Sequence, residues 1–343
     1  MLSVTIEQFV LANSTNENMF RSIVLFGRNV ASYKFALATA LLGFAEQGRE
    51  VVPLTDLAEP YALALCSHLK NAPKQVTSSK SRFLSECVRF NENKIEIDEL
   101  LGTTTRLGFQ NVIDAFHRVG TADIPVRFFS DQRKSSQPSV VITDHLFSFA
   151  SESASTALQE TESRWRLVET AWELGTTTAV IGFDQETGNL ILPAKLKRKP
   201  ITSARPTLNG YQKGVCFYCY QKIGIVAGEQ NLADVDHLFP HALEKNGLAK
   251  NLDGIWNLVL ACQICNRGAK GKFDSTPHPK YVERLHKRNE YLILSHHPLR
   301  ETLIKQSGQS TQSRHQFLQA HLDVASSYQP VPWETKPLGL AAF

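Results

Sequence analysis

Two Cys-x-x-Cys pairs, Cys216/Cys219 and Cys262/Cys265, constrain this chain more than any other feature; they stand 46 residues apart, first cysteine to first. Each pair brings two thiols to one point, and four soft sulfur ligands suit a tetrahedral Zn2+. A closed four-ligand site leaves no open position, so the zinc it implies is structural. A segment clamped at both ends can fold with little core of its own, because metal binding supplies folding free energy. The other cysteines, Cys66 and Cys87, lie within apolar helical patterns and are expected as small core residues.

The chain has 343 residues, 42% hydrophobic and 20% charged, which suggests a soluble protein of two domains. No run of about 18 apolar residues predicts a membrane span. The N-terminal stretch lacks the basic region of a signal peptide, so a cytoplasmic location is expected. Reducing conditions there favour metal binding over disulfides. The net charge of +4 says little by itself, but its distribution says more. From Ile191 to Lys222 there are seven Lys and Arg and no Asp or Glu, and from Arg267 to Arg314 ten basic residues against four acidic. Basic rims of this kind suit a phosphate backbone, and a solvated surface explains either one alone equally well.

The fold class expected is α+β. Residues 1–200 form a mainly helical N-terminal domain with a small β-hairpin, 205–328 a zinc-stapled domain with C-terminal helices, and 329–343 a loose tail. Helical spacing predicts helices over Ser32–Gly48, Pro60–Leu69, Ser79–Phe90, Thr105–Arg118 and Asp144–Leu174. Residues 139–143 read as a short strand, and 176–183 and 190–193 as the hairpin. Residues 195–210, with two prolines and five basic residues, read as the domain boundary. Helices are expected at Pro279–Leu294, 298–306 and 311–327.

Chemistry concentrates between the knuckles. The alternating run LADVDH predicts a short strand ending at Asp236 and His237, a carboxylate and an imidazole side by side at an open edge, and Pro240 then breaks it. Asn257 follows His237 by 20 residues. Asn266 directly follows the last cysteine and is expected to open a helix. His278, His286, His296, His297, His315 and His321 share no spacing and read as surface residues.

The order C-x-x-C, D-H-x-x-P, Asn before an apolar run, then C-x-x-C-N with a following Lys resembles the HNH (ββα-metal) endonuclease family in its four-cysteine form, over residues 214–272. The resemblance implies a zinc-stapled ββα-metal domain that hydrolyses DNA phosphodiester bonds. It makes Asp236 and Asn266 ligands of a catalytic Mg2+ or Mn2+, oxygen donors that suit a hard cation. It makes His237 the general base and Asn257 the residue that orients its loop. Arg267, Lys270, Lys272 and His241 are the candidate DNA contacts, with Arg267 and Lys270 in the first turns of a helix whose N-terminus favours phosphate. The stretch between Pro240 and Ile255 is longer than in many members of the family it resembles. The partner expected is DNA, with a homodimer or a protein partner through the N-terminal domain, no membrane, and a setting in prokaryotic anti-phage or restriction defence. Two other readings stay open: a zinc-stapled nucleic-acid-binding module without catalysis, and an RNA-directed nuclease.

Overall fold

The computed structural model describes residues 4–27, 31–77, 81–174, 181–193, 198–295 and 298–342. The protein is α+β, with small sheets among many helices. It divides into two compact units, Ser14–Gly175 and Met1–Asn13 together with Thr176–Phe343. The boundary expected near residue 200 therefore falls inside the second unit. The first helix, α1 (Ile6–Leu11), also belongs to that unit, far from it in sequence.

The unit Ser14–Gly175 contains α2 (Asn16–Phe26), α3 (Tyr33–Glu46), β1 (Val51–Pro53), α4 (Leu54–Leu69), α5 (Arg82–Asn91), α6 (Ile97–Thr103) and α7 (Val112–Ala115). There follow β2 (Arg118–Val119), β3 (Ala122–Asp123), β4 (Phe129–Gln132), β5 (Ser139–Ile142) and α8 (Asp144–Leu174). Helix α8 has the bounds its periodicity predicts. The stretch expected as one helix from Thr105 to Arg118 is instead a π-helical turn (Thr104–Gly108), the short α7 and the start of β2. There Tyr61 donates to the Gly108 carbonyl, and tertiary packing wins over helical periodicity. Strand β5 lies at the centre of an antiparallel sheet, in the order β1-β5-β4. Cys66 and Cys87 are buried as expected.

The second unit adds β6 (Gly182–Asp184), β7 (Asn189–Pro193), β8 (Arg198–Ser203), α9 (Ala204–Gln212), β9 (Asp234–His237), α10 (Ala242–Lys245), β10 (Leu258–Ala261), α11 (Gln263–Arg267), α12 (Pro279–Leu294), α13 (Pro298–Ser307) and α14 (Thr311–Tyr328). Strands β6 and β7 form the expected hairpin, though residues 175–180 lie outside those described. The basic stretch read as the domain boundary instead supplies β8, which extends this sheet, and α9; residues 194–197 lie outside those described. Its prolines are tolerated because β8 is an edge strand and Pro206 sits in the first turn of α9. The three C-terminal helices form as their periodicity predicts. Trp256, buried beneath them, meets Phe317 and His321 edge-on at 4.7 and 4.8 Å.

The tail is not loose. Trp333 exchanges backbone hydrogen bonds with Thr276 and His278 and packs on the rings of Tyr218 and Tyr281. The Leu338 and Gly339 N–H groups donate to the Cys219 carbonyl. No helix among the described residues is long and apolar enough to cross a membrane.

Candidate metal centre and active site

The site is built on a two-stranded antiparallel pair. Leu258 stands opposite His237, Val259 opposite Asp236 and Ala261 opposite Asp234. Strand β10 is apolar and wholly buried, which anchors the pair. The Gln212 side chain holds β10 from behind, accepting from the Leu260 N–H at 2.8 Å and donating to its carbonyl at 2.9 Å. The first knuckle joins the same strand, since the Phe217 N–H also donates to the Leu260 carbonyl. Strand β10 runs into Cys262, which stands at the N-terminus of α11.

The sulfur atoms of Cys216, Cys219, Cys262 and Cys265 all lie within 4.8 Å of one another. The Cys219 and Cys262 sulfurs are 3.9 Å apart. Ligands about 2.3 Å from a tetrahedral Zn2+ would be about 3.8 Å apart, so the spacing fits that ion. This cluster could bind a metal such as zinc. The first knuckle turns at Tyr220, whose φ of 64° is left-handed. Arg284 braces it, donating to the Phe217 and Tyr218 carbonyls and stacking over the Tyr220 ring at 4.1 Å.

Asn257 is fully buried. Its amide oxygen accepts from the Phe239 N–H at 2.8 Å, and its amide nitrogen donates to the Phe239 and Leu252 carbonyls, both at 3.0 Å. Its own carbonyl accepts from the Leu238 N–H. It therefore fixes the chain just after His237 and joins it to the long connecting stretch, without a bond to the imidazole.

Asp236 does not stand at an open edge. It is buried, its carboxylate accepts from the Tyr218 hydroxyl at 2.5 Å, and the Lys272 ammonium lies 3.4 Å from both of its oxygens. Burial raises its pKa; Lys272 and Tyr218 oppose that shift. The Tyr218 hydroxyl, buried beside this carboxylate, is held well above its ordinary pKa. Lys272 is fully buried and serves as the counter-ion of Asp236, so it is not in a position to contact a phosphate backbone.

Asn266 donates to Asp234 at 3.1 Å, and Arg267 reaches the same carboxylate oxygen at 3.0 Å. Strand alternation puts Asp234 and Asp236 on one face, so two carboxylates share the side that α11 packs against. Asn266 does not open a helix: α11 begins at Gln263 and ends at Arg267. Lys270 lies beyond it, exposed, and the helix N-terminus is not beside either basic residue. After α11 the chain folds back tightly, with Gly271 N–H to Gly268 carbonyl and Lys272 N–H to Cys265 carbonyl, both 2.7 Å. A Cβ at Gly268 would come within 2.6 Å of the Ile264 carbonyl oxygen, and one at Gly271 within 2.8 Å of that of Asn266. These glycines let the return carry Lys272 to Asp236. By type, the oxygens of Asp234, Asp236 and Asn266 suit a hard cation such as Mg2+, and the Asn266 amide would turn over to present its oxygen.

His237 faces a second group. Its Nε2 lies 3.2 Å from Asp253 Oδ1, without hydrogen-bond geometry, and the His241 Nε2 lies 3.2 Å from the same oxygen. The Gln185 amide nitrogen lies 2.6 Å from His241 Nε2 and donates to Asp253 Oδ1 at 2.7 Å. His241 thus turns into this cluster. Burial lowers the His237 pKa to about 4, helped by His241 and opposed by Asp253. The ring is therefore neutral at pH 7, and the same burial makes it a weaker base than a free imidazole. A cleft of about 420 Å3 opens beside Asp253, with Lys250 and Lys305 on its walls.

Of the remaining histidines, His286 is buried rather than at the surface, His315 lies 2.8 Å from the Glu283 carboxylate, and His296 and His297 lie outside the described residues. Asp234, Asp253, Gln185 and Tyr218 escape sequence reasoning. Asp234 alone carried a signal, its period-2 relation to Asp236.

No family model, curated protein or solved structure matches the chain.

Proposed function

We propose that this protein is a metal-dependent nuclease of the HNH type that hydrolyses DNA phosphodiester bonds. The observation that carries the reading is the order strand, strand, cysteine-clamped helix, with His237 at the end of the first strand and Asn257 bracing the residues after it. Asp236 and Asn266 would hold the catalytic Mg2+ or Mn2+, with Asp234 beside them. Such an ion supplies charge relief on the phosphate and the leaving oxygen. The chain's own contribution is the neutral His237 ring, which takes the proton of the attacking water, and a shape fixed by structural zinc. Arg267 and Lys270 are exposed and suit backbone phosphates. We place the activity in prokaryotic defence, with the unit Ser14–Gly175 as the regulatory or partner-binding part.

One observation favours a second reading, a nucleic-acid-binding module without catalysis: Lys272 already neutralises the buried Asp236. Incubating the full chain with supercoiled plasmid in Mg2+, Mn2+ or EDTA separates the two. Metal-dependent nicking supports the nuclease. Plasmid retention without any cleavage supports the binding module. Cleavage of single-stranded RNA but not of plasmid would replace DNA with RNA as the substrate.

A further inference from the structure

Two histidines and a carboxylate outside the cysteine cluster converge on one point. His237 sits at the end of β9, His241 at the start of α10, and Asp253 in the long connection before β10. One ligand atom from each lies within 4.8 Å of the other two. Asp253 Oδ1 is 3.2 Å from both Nε2 atoms. Ligands about 2.0–2.1 Å from a tetrahedral metal are separated by about 3.3 Å, so two of the three edges already have the length one ion would impose. The two imidazole rings stand 4.1 Å apart at 62°, edge to face rather than stacked.

The surroundings point the same way. The buried Nε2 of His237 meets the Asp253 carboxylate oxygen at 3.2 Å outside good hydrogen-bond geometry, and no other polar group among the described residues pairs with it. The Gln185 amide lies against His241 and Asp253, so one side chain from a turn covers the point. On the far side of the His241 ring, a Glu244 carboxylate oxygen lies 3.9 Å from Nδ1, where an outer carboxylate would orient a metal-bound imidazole.

We propose that His237, His241 and Asp253 form a second metal site, for a d-block divalent cation such as Zn2+, separate from the four-cysteine cluster. Two imidazoles and one carboxylate favour zinc, nickel or copper over Mg2+, which takes oxygen ligands. Gln185 swings aside on binding, and water or a substrate oxygen completes the coordination. The site stands on this geometry and not on the nuclease reading. A cation here would hold the ring that must be free to act as a base, so any cleavage in Mg2+ should fall as Zn2+ fills this second site.

The test is metal stoichiometry on the full chain, by equilibrium dialysis against Zn2+ and by titration with Co2+, both in excess Mg2+ so that the oxygen ligands Asp234, Asp236 and Asn266 do not take up the d-block ion. Wild type should take up two equivalents. His241→Ala and Asp253→Asn, at partly exposed positions, should each take up one, with the thiolate-to-Co2+ charge-transfer band unchanged and the helical circular dichroism retained. Gln185→Ala should keep both equivalents and load the second faster. A wild-type chain that binds a single equivalent, or variants that keep the second, would overturn the proposal. None of these readouts depends on cleavage, so an inactive protein leaves the test intact.

Discussion

Asn257 meets its surroundings with three side-chain hydrogen bonds from a fully buried position, and its replacement has a calculable consequence. Asn257→Ala leaves the Phe239 N–H and two carbonyls unpaired and should cost about 3 kcal/mol, read as a lower urea midpoint. Asn257→Asp keeps the shape but turns the donor into an acceptor facing two carbonyls, and should be at least as damaging. At Asp236 the logic is that of a buried pair. Lys272→Met removes the counter-ion and leaves an uncompensated carboxylate, so stability should fall by about 3 kcal/mol at pH 7. The loss should shrink in acid as Asp236 takes up a proton. An unchanged midpoint in Lys272→Met would mean that the ammonium is not what balances this carboxylate.

At the level of elements, the two knuckles, β10 and the tail form one structure. Trp333 packs on Tyr218, whose hydroxyl binds Asp236, and the tail N–H groups end on Cys219. Removing residues 330–343 should lower stability by about 1–2 kcal/mol, the value of burying part of a large apolar ring. It should also speed zinc loss to a chelator. Equal rates of loss in the full and shortened chains would show that the strap does not bear on the knuckle. The four cysteines, the strand ending in His237 and helix α8 were legible in the sequence, because each is carried by local spacing or period. The partner of Asn266 was not, since Asp234 and Asp236 differ only in which one the fold-back after α11 reaches with Lys272. Asp253 gave no local sign at all; Asn257 and Leu252 hold its loop through bonds formed only in the folded state.

Across the whole molecule, each unit has a feature that local sequence does not show. In Ser14–Gly175, His68 lies between Glu169 at 2.6 Å and Glu162 at 3.0 Å and stacks on Trp165 at 3.5 Å. Burial works against the charged ring, but the two carboxylates outweigh it and raise its pKa above the ordinary 6.5. A raised histidine pKa gives stability that is complete below 6.5 and is lost as pH rises through the folded value. The midpoint difference between wild type and His68→Gln should therefore shrink from pH 6 to pH 9, and a constant difference would contradict the assignment. In the other unit, the N-terminal residues complete a core more than 200 positions away: Lys213 donates to the Phe9 and Ala12 carbonyls, and the Phe9 ring meets Tyr291 edge-on at 5.0 Å. A fragment beginning at residue 176 should be less stable than one in which residues 1–13 are joined to it.

The proposed nuclease activity depends on His237 at the end of β9, beside the cysteine-clamped helix α11. Its most direct measurement is cleavage of supercoiled plasmid in Mg2+ by wild type and by His237→Ala, both checked for retained cysteine-bound zinc and helical content. Nicked product is expected from wild type, none in EDTA, and a loss of about 100-fold or more in the variant, the scale of general-base catalysis. Equal cleavage by the two proteins, or none in Mg2+ or Mn2+ by wild type carrying zinc on the four cysteines alone, would contradict it.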